Sequence, residues 1–310
     1  MENKVIRVGV IGTGHLGVHH ARIYTELEGC ELVGVSDINE KAGRKTANKH
    51  RTEYYKNYQD LIEKVDAVSI VTPTETHHRI GLDCLRAGVN TMIEKPVTNI
   101  PADAEELIAE AEKNNCILQV GHVERFNGAV KKVREYITEP RFIEVNRLSP
   151  FPARSLDIGV VLDLMIHDID IILSFVHSPV KTIVAVGSSV FSDKEDIANC
   201  RIEFENGCAA NITASRISYK SERKFRVFES DRYISLDYGK QEFVVYRKKK
   251  EKITSPADIE RIVPRFSKTE PLKEELRDFI DCISTGSSPM VSGHHGLTAL
   301  KLALEITGKI

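Results

Sequence analysis

The chain has 310 residues, of which 41% are hydrophobic and 28% charged, with a formal net charge of −2. That length exceeds what one hydrophobic core ordinarily serves, so two domains are expected. The near-neutral balance gives no electrostatic footprint for nucleic acid or an anionic membrane, and no apolar run is long enough to span a bilayer.

The six cysteines are scattered, without a CxxC or a zinc-like spacing, and read as reduced thiols in a reducing compartment. The opening MENKVIRVGVIGTGHLG has too short an apolar run for a signal peptide, so a cytoplasmic protein is expected. From there the chain alternates strand and helix. Strands are expected at 5–12, 31–37, 66–73, 89–96 and 117–121, and helices at 15–27, 39–50, 75–88 and 101–115. Continuous apolar strands alternating with helices imply a parallel sheet covered on both faces.

Beyond residue 122 the pattern changes. A helix is expected over 126–137 and another over 160–173. Between and beyond these helices come strand-like runs, RFIEVNRLS, VKTIVAVGSSVF, IANCRIEFENG, CAANITASRIS, KFRVFES, RYISLDYG and EFVVYRK, with turn signals such as ENG and YGK between neighbours. Residues 255–271 read as irregular, RKKKEK (247–252) as a solvated loop, and 271–285 and 294–306 as amphipathic helices. The expected architecture is α/β: a doubly wound parallel Rossmann domain over 1–122, then an α+β domain over 123–310 with an open, mainly antiparallel sheet.

The turn after the first strand reads GTGHLG, with Gly12, Gly14 and Gly17 in G-x-G-x-x-G spacing between a strand and a helix. Gly12 permits the tight turn, Gly14 lets a pyrophosphate approach the backbone, and Gly17 lets helix and strand pack closely. Thr13, His15 and Leu16 complete the loop. Asp37 ends the second strand, roughly 20 residues past the last glycine, where a carboxylate binds the adenosine ribose. Its charge would repel a 2′-phosphate, so NAD is expected; Arg44 nearby keeps NADP possible.

Ligands of such sheets sit beyond the carboxyl ends of the strands. Three further ends carry polar residues: Thr72, Pro73, Thr74 and His77; Glu94 and Lys95 before Pro96; and His122, Arg125 and Asn127. A lysine there can polarise a carbonyl or stabilise an alkoxide. His122 and the pairs His19/His20 and His294/His295 fit no metal motif and read as structural or surface residues; no metal site is expected.

The stretch VVLDLMIHDIDIIL (160–173) sets Asp163, His167, Asp168 and Asp170 in an apolar helix. At about 100° per residue, Asp163, His167 and Asp170 share one stripe, and Asp168 lies off it as a structural hydrogen-bond partner. A histidine beside a carboxylate can take a hydroxyl proton at neutral pH.

GTGHLG, TPTETH, EKP, VGHVERFN, DLMIHDID and PLKEELRDFIDCISTG…PMVSG together resemble the Gfo/Idh/MocA family of NAD(P)-dependent oxidoreductases along nearly the whole chain. The resemblance implies that Lys95, Asp163 and His167 act together on a sugar secondary alcohol. It also implies that the open sheet forms a homodimer or homotetramer. The family often has Gly at Met165 and Asn-Pro at Asn127–Gly128.

Residues 149–173 look like the branch that oxidises nucleotide sugars, such as UDP-N-acetylglucosamine at its 3-hydroxyl. Arg147 and Arg154 could then meet a diphosphate, and Arg125 and Asn127 complete the expected substrate contacts. The rival readings are a dehydrogenase of inositol or another free polyol, NAD-dependent glycoside cleavage, and a non-catalytic NAD-binding regulator.

Overall fold

The computed structural model describes residues 5–151 and 158–310; Arg154, expected at the substrate, lies outside the described residues. The chain divides into two compact units, one of residues 1–123 with 270–300 and one of 124–269 with 301–310.

In the first unit, β1 (Ile6–Ile11), β2 (Cys30–Ser36), β3 (Glu53–Tyr55), β4 (Ala67–Ile70), β5 (Asn90–Glu94) and β6 (Leu118–Gly121) form one sheet in the order β3-β2-β1-β4-β5-β6. Its pairings are parallel throughout. All four residues of β4 are buried, as a strand covered on both faces requires. The connecting helices are α1 (Gly17–Tyr24), α2 (Glu40–His50), α3 (Tyr58–Ile62), α4 (His77–Arg86) and α5 (Pro101–Lys113). The strand order reverses between β1 and β4, and a doubly wound sheet opens its ligand crevice at that reversal. β3 and α3 escape the sequence pattern because three and five residues are too few to display a period.

In the second unit, α6 (Gly128–Val133) leads to β7 (Phe142–Leu148). A π-helical turn over Val161–Met165 then runs directly into α7 (Ile166–Phe175). The strands that follow are β8 (Val180–Ser188), β9 (Ile197–Phe204), β10 (Ala209–Ser215), β11 (Glu222–Phe228), β12 (Arg232–Asp237), β13 (Glu242–Lys248) and β14 (Ile259–Ile262). They form an eight-stranded sheet in the order β14-β13-β12-β11-β7-β10-β9-β8. Only the β7–β10 pair is parallel among its described pairings.

Alternation along β7 buries Ile143, Val145 and Arg147 on one face and leaves Glu144 and Asn146 on the other. β14 corrects the reading of 255–271 as irregular: four residues at the sheet edge, half of them exposed, carry too weak a pattern to announce a strand.

Residues 270–300 were expected in the second domain and group with the first. They supply α8 (Pro271–Thr285) and most of α9 (Gly293–Thr307). The reason is burial: Leu276, Phe279 and Ile280 of α8 complete the core made by Ile6, Val8, Ala21, Ile23 and Val35. No helix among the described residues is long and apolar enough to cross a membrane.

Candidate active site

The glycine turn is built as the spacing requires. Gly12 has φ +95°, a region where side chains are strained, and a Cβ on it would overlap the Val71 carbonyl. A Cβ on Gly17 would overlap the carbonyl of Gly12, whereas one on Gly14 would meet nothing within 4 Å. Gly14, His15 and Leu16 are exposed, so the turn presents bare backbone to open space at the start of α1, the shape a pyrophosphate needs.

Asp37 braces this turn. Its Oδ2 accepts from the Thr13 N–H and hydroxyl, both at 2.7 Å, and its Oδ1 accepts from the Asn39 N–H at 2.8 Å. A carboxylate offers about four acceptor positions, so capacity remains for a ribose hydroxyl. Arg44 is held along α2 by Glu40 (2.7 Å) and lies 5.0 Å from the centre of the Tyr54 ring.

The next strand ends differ from expectation in one respect. Thr72 shares a 2.7 Å hydroxyl contact with Thr76, and Pro73 and Thr74 stand at the surface or half-buried. His77, expected at the cofactor, is 1% exposed. Its Nδ1 lies 3.0 Å from the Pro96 carbonyl and its Nε2 2.9 Å from the Thr72 carbonyl. The ring is thus committed to backbone. Glu94 and Lys95 leave β5 half-buried, with the Lys95 N–H donating to Glu94 Oε2 at 3.2 Å.

In the second unit most of the expected charged residues turn out to be internal. The Arg125 guanidinium donates twice to Asp170, at 2.7 and 3.2 Å, and is 5% exposed. Arg147 donates twice to Asp168, at 2.6 and 3.0 Å, and once to Glu124 at 3.1 Å, with 4% exposure. Asn127 caps α6 by accepting from the Ala129 N–H and donates to the Tyr238 carbonyl; it is 3% exposed. Arg125 and Asn127, expected at the substrate, and Arg147, offered as a diphosphate contact, are thus each held by internal partners, as buried charges and amides require.

Asp170, expected on the polar stripe, belongs to this internal set, as does Asp168. Asp163 and His167 are half-buried instead. Asp163 lies in the π turn, a widened stretch of helix that often marks functional sites.

That turn is tied to the loop before β9, which sequence reasoning did not single out. The Val160 N–H donates to the Glu195 carbonyl at 2.9 Å, and Arg216 donates to the Ile158 carbonyl at 2.8 Å. Arg216 is itself paired with Asp196 at 2.9 Å, both fully buried. A Cβ on Gly159 would overlap the Glu195 carboxylate. Gly159→Ala is therefore expected to push Glu195 off the helix start. Stability should fall by about 1 kcal/mol, as for a lost cap, and turnover severalfold, with NAD⁺ affinity unchanged. Thermal unfolding and steady-state rates check this; an unaltered melting temperature and turnover would contradict it.

Among the described residues no cluster of three or more His, Cys, Asp or Glu could hold a metal ion. The cradle in the first unit fits a dinucleotide.

Comparison with known proteins agrees. Residues 6–122 match the model of an oxidoreductase family with an NAD-binding Rossmann fold, and 128–235 match the Gfo/Idh/MocA C-terminal domain. A UDP-N-acetylglucosamine 3-dehydrogenase of Acidithiobacillus ferrooxidans is 35% identical over 302 residues, 97% of this chain and 96% of that protein. Its solved structure superposes with a TM-score of 0.93, covering 98% of this chain and 97% of the other at 34% identity. A myo-inositol 2-dehydrogenase of Thermotoga maritima is 30% identical, over 96% of this chain and 94% of that protein. A levoglucosan dehydrogenase solved with NADH shares the fold, with a TM-score of 0.88 at 18% identity over 98% of this chain and 96% of the other. The chain belongs to the Gfo/Idh/MocA family of oxidoreductases, and its first unit is an NAD-binding domain of that family.

Proposed function

We propose that the protein oxidises the 3-hydroxyl of a nucleotide sugar, UDP-N-acetylglucosamine, to the 3-keto sugar. The observation that carries this reading is the half-buried pair Asp163 and His167 on a helix whose other carboxylates are paired internally. The likeness to the Acidithiobacillus enzyme over nearly the full length of both chains supports the substrate class.

In this mechanism His167 accepts the hydroxyl proton, Lys95 stabilises the alkoxide as it forms, and Asp163 orients the imidazole. NAD⁺, held by Gly12–Gly17 and Asp37, supplies the acceptor for the hydride that leaves the same carbon. Loss of one proton and one hydride converts the secondary alcohol to a ketone.

The test is steady-state NADH formation with UDP-N-acetylglucosamine against myo-inositol. A higher kcat/KM for the nucleotide sugar supports the proposal. A higher value for inositol would replace it with polyol oxidation, which the 30% identity to the Thermotoga enzyme favours as the second reading.

We further propose that the enzyme works in the cytoplasm as a homo-oligomer. The free cysteines suit a reducing compartment. The open sheet face carries Val184 and Val186, 68% and 65% exposed, and a row of rings from Phe142 through Phe228 and Tyr233 to Tyr246. Light scattering that returned a monomer mass would remove the oligomer from this reading.

A further inference from the structure

We propose that two buried histidines, His20 and His77, are positioning residues that hold the backbone on either side of Lys95. This rests on the role given to Lys95 above. A lysine amine rides on a flexible four-carbon stem, so its aim depends on how firmly its own backbone is fixed.

On the amino side the anchor is Glu94. Its Oε2 accepts from the Lys95 N–H at 3.2 Å, and its Oε1 lies 3.1 Å from His20 Nε2. A carboxylate only accepts, so His20 Nε2 carries the hydrogen. Burial pushes the Glu94 carboxyl up, but the His20 hydrogen bond, with the charges of His20 and Lys95, outweighs it and brings the net shift down. The group thus stays a carboxylate able to accept on both oxygens. His20 is fully buried on α1, and its Nδ1 has no hydrogen-bond partner among the described residues. Burying an imidazole with one nitrogen unsatisfied is unfavourable, which makes the bond to Glu94 the reason for its place. Gly121, on neighbouring β6, leaves the room: a Cβ there would stand 2.8 Å from Glu94 Oε2.

On the carboxyl side the anchor is the Pro96 carbonyl, 3.0 Å from His77 Nδ1. The other ring nitrogen lies 2.9 Å from the Thr72 carbonyl, so one imidazole spans the exits of the paired strands β4 and β5. Burial pushes the His77 pKa down against the pull of both carbonyls. A neutral ring has one N–H to donate: with the hydrogen on Nδ1 it bonds the Pro96 carbonyl, and Nε2 then packs against the Thr72 carbonyl without a hydrogen bond. Lys95 is gripped from before by His20 through Glu94 and from after by His77 through Pro96.

The test is a double-mutant cycle. His20→Leu and His77→Leu each remove the donor at similar volume; His20→Gln and His77→Gln keep an amide donor and serve where the leucine variants fail to fold. Each is made alone and with Lys95→Met. Two quantities are read: kcat with UDP-N-acetylglucosamine, and the rate at which acetic anhydride labels Lys95, with exposed Lys49 as control.

The expected result is a loss of kcat of about 10- to 100-fold for each single leucine variant, the scale of a misplaced catalytic group. Labelling of Lys95 should change severalfold while that of Lys49 does not, and kcat should fall no further in the Lys95→Met background. An equal further loss in that background, or unchanged Lys95 labelling, overturns the proposal. If Lys95→Met alone left kcat intact, the role of Lys95 would fail, and the labelling would still decide whether the histidines hold it.

Discussion

His167→Asn is expected to lower kcat by about 10²–10⁴ while leaving NAD⁺ affinity near that of the unaltered protein. In the stretch 160–173 four polar residues sit in an apolar helix. Two of its carboxylates are already consumed, Asp168 by Arg147 and Asp170 by Arg125. The half-buried residues of the set are Asp163 and His167, and only the imidazole can take a proton at neutral pH and hold it as a cation. Asparagine preserves size and some hydrogen bonding but accepts no proton. The glycine turn and Asp37 belong to the first unit and are untouched, so cofactor binding should survive. NADH absorbance gives kcat, and quenching of NADH fluorescence gives affinity. A His167→Asn protein that turned over within a few fold of the original would remove His167 from the mechanism.

The first unit was legible because its signals are local. GTGHLG falls between a strand and a helix, and each glycine meets a steric demand visible in the structure: Gly12 at positive φ, Gly17 against the Gly12 carbonyl, Gly14 facing open space. The second unit was legible in its strands except β14, and among its charges in Asp168, a hydrogen-bond partner as its place off the polar stripe implies. Arg125 and Arg147 pair with carboxylates 45 and 21 residues away, a distance no local pattern displays. One signal could have exposed Arg147: in FIEVNRL it falls on the same period-two face as Ile143 and Val145, the face that packs inward. No such signal exists for His77, whose partners are backbone carbonyls of other strand ends. The π turn also lay beyond the sequence, since a regular 100° rotation was assumed from Val160 onward. The return of α8 to the first unit depends on which core still lacks a cover, a property of the assembled sheet.

Arg147→Met is expected to cost about 3–5 kcal/mol of stability, the second large effect. Asp168 is fully buried, and Arg147 bonds both of its oxygens while also donating to Glu124. The guanidinium carbon also sits 5.4 Å from the centre of the buried Tyr238 ring, so the cation is neutralised from several sides. Removing it leaves one carboxylate in the interior with its counter-charge gone. Glu124 keeps the Asn127 amide, at 3.4 Å, and the more distant Arg223, at 3.8 Å. Lysine at 147 should recover part of the charge and little of the geometry, because an ammonium cannot donate in parallel to Asp168 and reach Glu124 as well. Pairing Arg147→Met with Asp168→Leu should restore much of the loss, since a buried ion pair replaced whole by apolar side chains is often nearly neutral. Urea unfolding of the single and double variants measures both steps, followed at a probe placed in the second unit because the two units need not unfold together. A double variant no more stable than Arg147→Met would show that the guanidinium supports the fold through Glu124 and Tyr238. Because Asp168 is one residue from His167, the same variant should also lose turnover, and restored stability without restored turnover would show that the pair sets the aim of the imidazole as well as the stability of its helix.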